Sequence, residues 1–244
     1  MSKILTVFAV MLLTSSLASA AVNQLINLYT EEYPPWNYTS GQAVIGLNTK
    51  LIRQALIQSE LQGHFLVIPW GRAQRLTQAE QYSCFYSAVR TAEREEIYQW
   101  IGPLSREYVQ LFSLNPEVLP FYALAAAKDF VIGGQTEDAY TDYVAQQGLR
   151  VERVAEIPTN LSMLQLGRID LWLAGSVGGP YIAAKKGLQL FPVATSETLF
   201  ELWLACNKQM PQQIIEQLNR SIKAIKQAEL DTLEEKADKS LPAW

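Results

Sequence analysis

Short apolar runs alternate with stretches of helical spacing along most of the chain. Leu25–Tyr29 reads as a strand that ends in the loop 30–38, where Pro34 and Pro35 exclude a helix. From Leu47, the positions Leu47, Leu51, Ile52, Ala55 and Leu56 share one helix face. Phe65–Pro69 is a second strand, Arg72–Glu80 a helix, and Cys84–Val89 a third strand. Gly102-Pro103 breaks the chain, and Tyr108–Leu114 has strand character. Phe130–Ile132 predicts a strand. Gly133-Gly134-Gln135-Thr136 predicts a turn that opens a helix over Glu137–Gln147. Val151–Val154 and Leu171–Ala174 read as strands flanking a helix at Asn160–Gly167. Phe191–Val193 and Leu199–Cys206 are strands that return toward the first half. Pro211 starts the last helix, with Ile214, Ile215, Leu218, Ile222 and Ile225 on one face.

The order strand-helix-strand-helix-strand thus occurs twice, separated by crossovers near 104–112 and 190–200. It predicts an α/β fold of two lobes, the second inserted into the first. Lobe 1 takes residues 21–105 and 195–244, and lobe 2 takes 106–194. Such a layout leaves a cleft between lobes, a preferred place for a small-molecule site.

Residues 1–20 read as a secretory leader. Lys3 precedes the apolar run Ile4–Leu13, and Ala18-Ser19-Ala20 supplies a small-residue cleavage pattern. The run is about half the roughly 20 residues a spanning helix needs. The expectation is an exported, periplasmic chain cleaved after Ala20. Of 244 residues, 49% are hydrophobic and 18% charged, which excludes a wholly disordered chain. A net charge of −4 argues against a nucleic-acid partner, which needs a basic face. One histidine, His64, and two cysteines leave too few soft ligands for a zinc cluster. An oxidising compartment permits one disulfide. Cys84 and Cys206 lie in separate strand-like runs, and a bridge and two buried thiols both remain open.

Several phrases carry a resemblance. The loop Glu31-Glu32-Tyr33-Pro34-Pro35-Trp36-Asn37-Tyr38 is followed by Gly46-Leu47, Arg90-Thr91-Ala92-Glu93-Arg94-Glu95-Glu96, Trp100-Ile101-Gly102-Pro103-Leu104 and Gly167-Arg168-Ile169-Asp170. In this order they resemble the family 3 extracellular solute-binding proteins, the polar amino-acid type that serves ABC importers. The resemblance spans about residues 25–240. It implies a type II periplasmic-binding-protein-like fold, two α/β lobes on a two-crossover hinge that close on a solute. It also implies a small polar ligand, the membrane subunits of an importer as partner, a monomer, and no cofactor or metal. Alternatives on the same fold are a sensory protein without a transport role and a periplasmic enzyme.

The resemblance assigns Arg94 to a ligand carboxylate, which suits a planar, permanently charged fork. A helix-start arginine paired with Glu93, Glu95 or Glu96 is the competing reading. Arg90 either reinforces an anionic site or is solvated. Trp70 matches a pocket aromatic, and Tyr33 and Trp36 stand in the first loop as pocket walls. Flat aromatic faces clamp an apolar body or a cation. Arg72 either faces the cleft or lies on the surface. Glu31 is the acidic group placed to meet a ligand amino or hydroxyl group. In lobe 2, Gln135 and Thr136 open the expected helix, and Thr136 offers a hydroxyl beside free backbone N–H groups. The aspartate by which family members bind an α-amino group has no counterpart in Leu173-Ala174-Gly175-Ser176-Val177-Gly178-Gly179. The ligand class is therefore open between amino-acid-like solutes and small organic anions. A hydrolytic enzyme would have to build its base on His64, which has no supporting motif, so no catalytic residue is expected.

Overall fold

Ile26 and Leu28 alternate with half-buried positions in the first strand and are removed from water almost completely. Each such side chain contributes about 1.5–3 kcal/mol by burial. The computed structural model describes residues 25–118, 120 and 123–240, and the expected leader lies outside the described residues. The strands are β1 (Leu25–Thr30), β2 (Tyr38–Ser40), β3 (Ala43–Ile45), β4 (Gln62–Val67), β5 (Ser83–Val89), β6 (Tyr98–Ser113), β7 (Ile132–Gln135), β8 (Val151–Val154), β9 (Leu171–Gly175) and β10 (Phe191–Asn207). The helices are α1 (Leu47–Gln58), α2 (Trp70–Ala79), α3 (Ala92–Glu95), α4 (Ala139–Ala145), α5 (Ile157–Gln165), α6 (Gly178–Lys185) and α7 (Gln212–Ser240). Among the described residues, eight strands share one sheet in the order β4-β1-β5-β10-β6-β9-β7-β8, and β2 and β3 form a separate hairpin. The two ends of the sheet are parallel and its middle, around β10 and β6, is antiparallel.

The core is divided. One cluster joins Val109, Leu111, Phe112, Leu161, Leu171 and Trp172 around β9, with Tyr33 and Trp36 from the loop after β1 packed into it. Another joins Ile26, Leu28, Ile52, Tyr86 and Leu204 beneath α1 and α7. The long strands β6 and β10 run from one cluster to the other. They are the two crossovers of a two-lobed α/β fold. Cys84 and Cys206 are register partners of β5 and β10, and they form a disulfide with Cα atoms 3.9 Å apart. The alternative of two free thiols is thereby removed.

Three expectations need correction. Gly102-Pro103 does not break the chain, because β6 passes through it. The β6–β10 register shifts at this point, and Asn219 of α7 supplies the missing partners: its Oδ1 accepts from Gly102 N at 3.0 Å and its Nδ2 donates to Trp100 O at 3.2 Å. The two short strands expected at 191–193 and 199–206 are one strand, β10. Its irregular middle is bridged by Ser196 Oγ, which accepts from Val109 N at 3.0 Å. Gly133-Gly134 is not a turn but the middle of β7. A Cβ at Gly133 would overlap Ile169, and one at Gly134 would press on the Thr141 side chain, so bare backbone is what lets the helices pack there. The helix after β7 accordingly starts later, at Ala139, with Asp138 as its cap.

Candidate functional site

The loop after β1 is shaped by backbone bonds. Leu47 N donates to Pro35 O at 2.9 Å and Asn48 N to Trp36 O at 3.0 Å, so the first N–H groups of α1 are already satisfied. A Cβ at Gly46 would overlap the Trp36 carbonyl, and its φ of 124° is open to glycine alone. This packing holds Glu31 and Tyr33 toward lobe 2. Gln135 Nε2 donates to Glu31 Oε2 at 2.5 Å across the cleft. The Tyr33 hydroxyl donates to the buried carboxylate of Glu107 on β6, which also accepts from Tyr140 Oη at 3.1 Å, Val177 N at 3.2 Å and Gly178 N at 3.3 Å.

A second bridge forms on the backbone of Glu137, in the segment between β7 and α4. Its carbonyl accepts from Trp70 Nε1 at 3.1 Å, Gln74 Nε2 at 3.2 Å and Arg94 Nη2 at 2.8 Å. Arg94 Nη1 donates at the same time to Val89 O at 3.1 Å. All three donors belong to lobe 1, and the acceptor belongs to lobe 2. Arg75 meets the Glu137 carboxylate at 3.4 Å on the surface.

Between these bridges lies a cavity of about 40 Å³. Its polar walls are Glu31, Ser87, Gln135, Asp138, Tyr140 and Asn160, and its apolar walls include Trp70, Ile157 and Trp172. A second cavity of about 220 Å³ adjoins it and shares Glu31, Trp70 and Ile157. Burial pushes the Glu31 carboxyl up to about 8. The Gln135 amide opposes this shift and the charge of Asp138 adds to it. Burial also raises the Asp138 carboxyl, against the Thr141 hydrogen bonds and the Arg94 charge. Burial raises Glu107 too, opposed by the hydrogen bonds it accepts. Among the described residues no group of three or more histidines, cysteines, aspartates and glutamates is arranged to hold a metal ion.

Of the residues singled out by sequence, Glu31, Tyr33 and Trp70 line the inner cavity. Arg94 stands behind it, lining the outer groove along α3 and α4 and engaged by main-chain oxygens. Arg90 points away: its Nε donates to Glu95 Oε2 at 2.6 Å, and its guanidinium lies 5.2 Å from the Trp203 ring. Trp36 packs under the first loop as a core residue and does not line the cavity. Arg72 is exposed on α2. Thr136 is exposed, and its N–H donates to Val154 O at 2.8 Å, so it neither caps α4 nor offers a free donor. The cap is Asp138, whose Oδ2 accepts from Thr141 N at 3.0 Å.

Sequence reasoning did not single out Asp138, Tyr140, Ser87, Asn160 or Trp172 as site residues. The one local signal was the cap pattern of an aspartate three residues before Thr141. Trp172 is 1% exposed and serves both as core and as cavity wall. Asn160 is 1% exposed. Its Nδ2 donates to Gly134 O at 3.1 Å, while its Oδ1 has no donor.

Two lobes on one sheet, joined by two long strands and closed over a polar cavity, define the type II periplasmic-binding architecture. No protein-family model matches the chain, and no curated protein matches it in sequence. Solved structures do match. Holo ArgBP from T. maritima aligns with a TM-score of 0.75 at 14% identity, over 87% of this chain and 95% of that one. A histidine kinase sensor domain with similarity to periplasmic binding proteins aligns with a TM-score of 0.78 at 16% identity, over 87% and 95%. The arginine-, lysine-, histidine-binding protein ArtJ from Geobacillus stearothermophilus aligns with a TM-score of 0.74 at 13% identity, over 84% and 90%. At these identities the likeness establishes the fold. Among the described residues, no helix is long and apolar enough to cross a membrane.

Proposed function

We propose that the chain is an exported, periplasmic solute-binding protein that captures a small polar solute between lobe 1 (21–105 and 195–244) and lobe 2 (106–194). The observation that carries this reading is the cavity itself. It is walled from both lobes and locked by the Glu31–Gln135 and Glu137 bridges, so anything held inside is enclosed when the lobes meet. Glu31, Tyr33 and Trp70 touch the solute in this reading, and Arg94 stabilises closure. No catalytic role is assigned to any residue. The Cys84–Cys206 disulfide supports an oxidising compartment. A further solved neighbour, the substrate-binding protein of an amino acid ABC transporter, supports delivery to an ABC importer. The sensor-domain neighbour favours a second reading, in which the liganded form reports to a signalling partner.

The test is a thermal-shift screen against amino acids, small organic acids, amines and short saccharides, followed by tryptophan fluorescence of any hit. A solute at a hundredfold excess over its Kd adds about 2.7 kcal/mol. In a chain of this size that raises the midpoint by roughly 2–4 °C for each kcal/mol. Trp70 and Trp172 line the cavity, so the emission should change with the same titration curve. A screen without any shift would reject the solute-binding reading.

A further inference from the structure

The titratable side chains that line the cleft are one-sided: acidic ones are present and basic ones are not. The residues lining the inner cavity and the adjoining one include Glu31, Glu32, Asp138 and Glu156, and they include no lysine, arginine or histidine. The basic groups nearest to them are committed elsewhere. Arg94 donates to Val89 O and Glu137 O, and its charge offsets that of Asp138 in part. Arg75 is paired with Glu137 on the surface, and Arg72 is exposed. An anion would have to enter among these carboxyls with no free cation to receive it.

The seat that would hold a ligand carboxylate is also filled. Trp70 Nε1, Gln74 Nε2 and Arg94 Nη2 converge on one oxygen, and that oxygen is the Glu137 carbonyl of this chain. Trp70, Tyr33, Tyr140 and Trp172 also line the inner cavity, and aromatic rings are compatible with a cationic ligand.

The sizes add a constraint. One water needs roughly 10–15 Å³ of cavity. The inner cavity, at about 40 Å³, has room for a compact head group. The adjoining cavity, at about 220 Å³, has an apolar floor of Val67, Ile68 and Pro158. Its outer carboxylates are Glu32 and Glu156.

We infer that this cleft takes an elongated amine without a carboxylate, of the diamine class. One ammonium lies between Glu31 and Asp138, and the other meets Glu32 and Glu156. The inference rests on the solute-binding reading above and narrows its ligand, with the Glu137 carbonyl standing in for the carboxylate the ligand lacks.

The test compares matched pairs that differ only in the carboxylate: putrescine with ornithine, cadaverine with lysine, and agmatine with arginine, by calorimetry on the mature chain. The diamine of each pair should bind at least tenfold tighter than its parent amino acid. Glu31→Gln and Asp138→Asn, which keep the hydrogen-bonding shape, should each weaken putrescine by tenfold or more. Glu32→Gln with Glu156→Gln should weaken putrescine while leaving butylamine, which has one charge, unchanged. If an amino acid of any pair binds tighter than its amine, the diamine inference is overturned and the solute-binding reading stands. If butylamine and putrescine respond equally to the outer variants, the two-ended placement is overturned. If no compound of the wider screen binds, both readings fall together.

Discussion

Glu31 is held where ionisation is unfavourable. Burial sets its carboxyl at about 8, from an ordinary value of 4.5. Between these values the folded chain keeps a proton that the unfolded chain has lost, so stability falls as pH rises through the window and is fully present below it. The groups facing it act as follows: the Asp138 charge raises it, the Gln135 amide lowers it, and Asp138 and Glu107 are themselves raised by burial. Glu31→Gln removes the titration and keeps an acceptor for Gln135. The midpoint of the variant should lose much of the decline that the native chain shows from about pH 5 to about pH 8. Parallel curves would assign that decline to Asp138 and Glu107 instead. Gly175 makes a second prediction at this scale. A Cβ there would overlap the Glu107 carboxyl and the Tyr33 hydroxyl, both in a packed, buried cluster. Gly175→Ala should cost about 1–3 kcal/mol in urea unfolding, as overpacking does. A neutral result would mean that the first loop swings away without loss.

At the scale of elements, the start of α4 depends on Asp138 and not on Thr136. Asp138→Ala should cost about 1 kcal/mol, and Thr136→Ala should stay within about 0.5 kcal/mol, both read by urea melts. The reverse order would restore the earlier start of that helix. The tie between β5 and β10 is covalent, through Cys84 and Cys206, which are 122 residues apart. In the chain-entropy account, closing a loop of that order stabilises by roughly 4–5 kcal/mol. The Cys84→Ala, Cys206→Ala double variant should therefore unfold at markedly lower urea, with no further change on adding reductant. These elements also show what a sequence makes legible. Leu25–Tyr29, Val151–Val154 and Leu171–Ala174 stand out because apolar side chains mark the strands they belong to. β7 does not, because its middle is two glycines that the packing of Ile169 and Thr141 requires. The continuity of β6 through Gly102-Pro103 depends on Asn219, 117 residues away, which no local pattern announces. The cavity behaves in the same way. Glu31 and Tyr33 stand out in the first loop and Trp70 through the resemblance, whereas Asp138 and Asn160 join them only because distant segments meet.

In the solute-binding reading, the decisive quantity for the whole molecule is the balance between parted and closed lobes. Closure is held by Glu31 on Gln135, by Tyr33 on Glu107, by the contact of the Tyr38 and Tyr181 rings, and by three N–H groups on one Glu137 carbonyl. Within the last group, Arg94 contributes the charged donor at 2.8 Å, and its other arm on Val89 O fixes the fork. A hydrogen bond from a charged group is worth about 1.5–3 kcal/mol net. Its loss shifts the closed-to-open ratio by roughly ten- to a hundredfold. Arg94→Ala should therefore give a larger radius of gyration than the native chain in small-angle scattering without any solute. Arg94→Lys should fall between them, because an ammonium cannot span both carbonyls in the fixed geometry of a guanidinium. An added solute should draw the native and variant profiles together, since its own contacts with both lobes replace part of what Arg94 supplied. If the ligand-free profiles of native and Arg94→Ala coincide, Arg94 does not govern closure. The lobes would then be held by the Glu31, Tyr33 and Tyr38 contacts together with the Trp70 and Gln74 donors on Glu137.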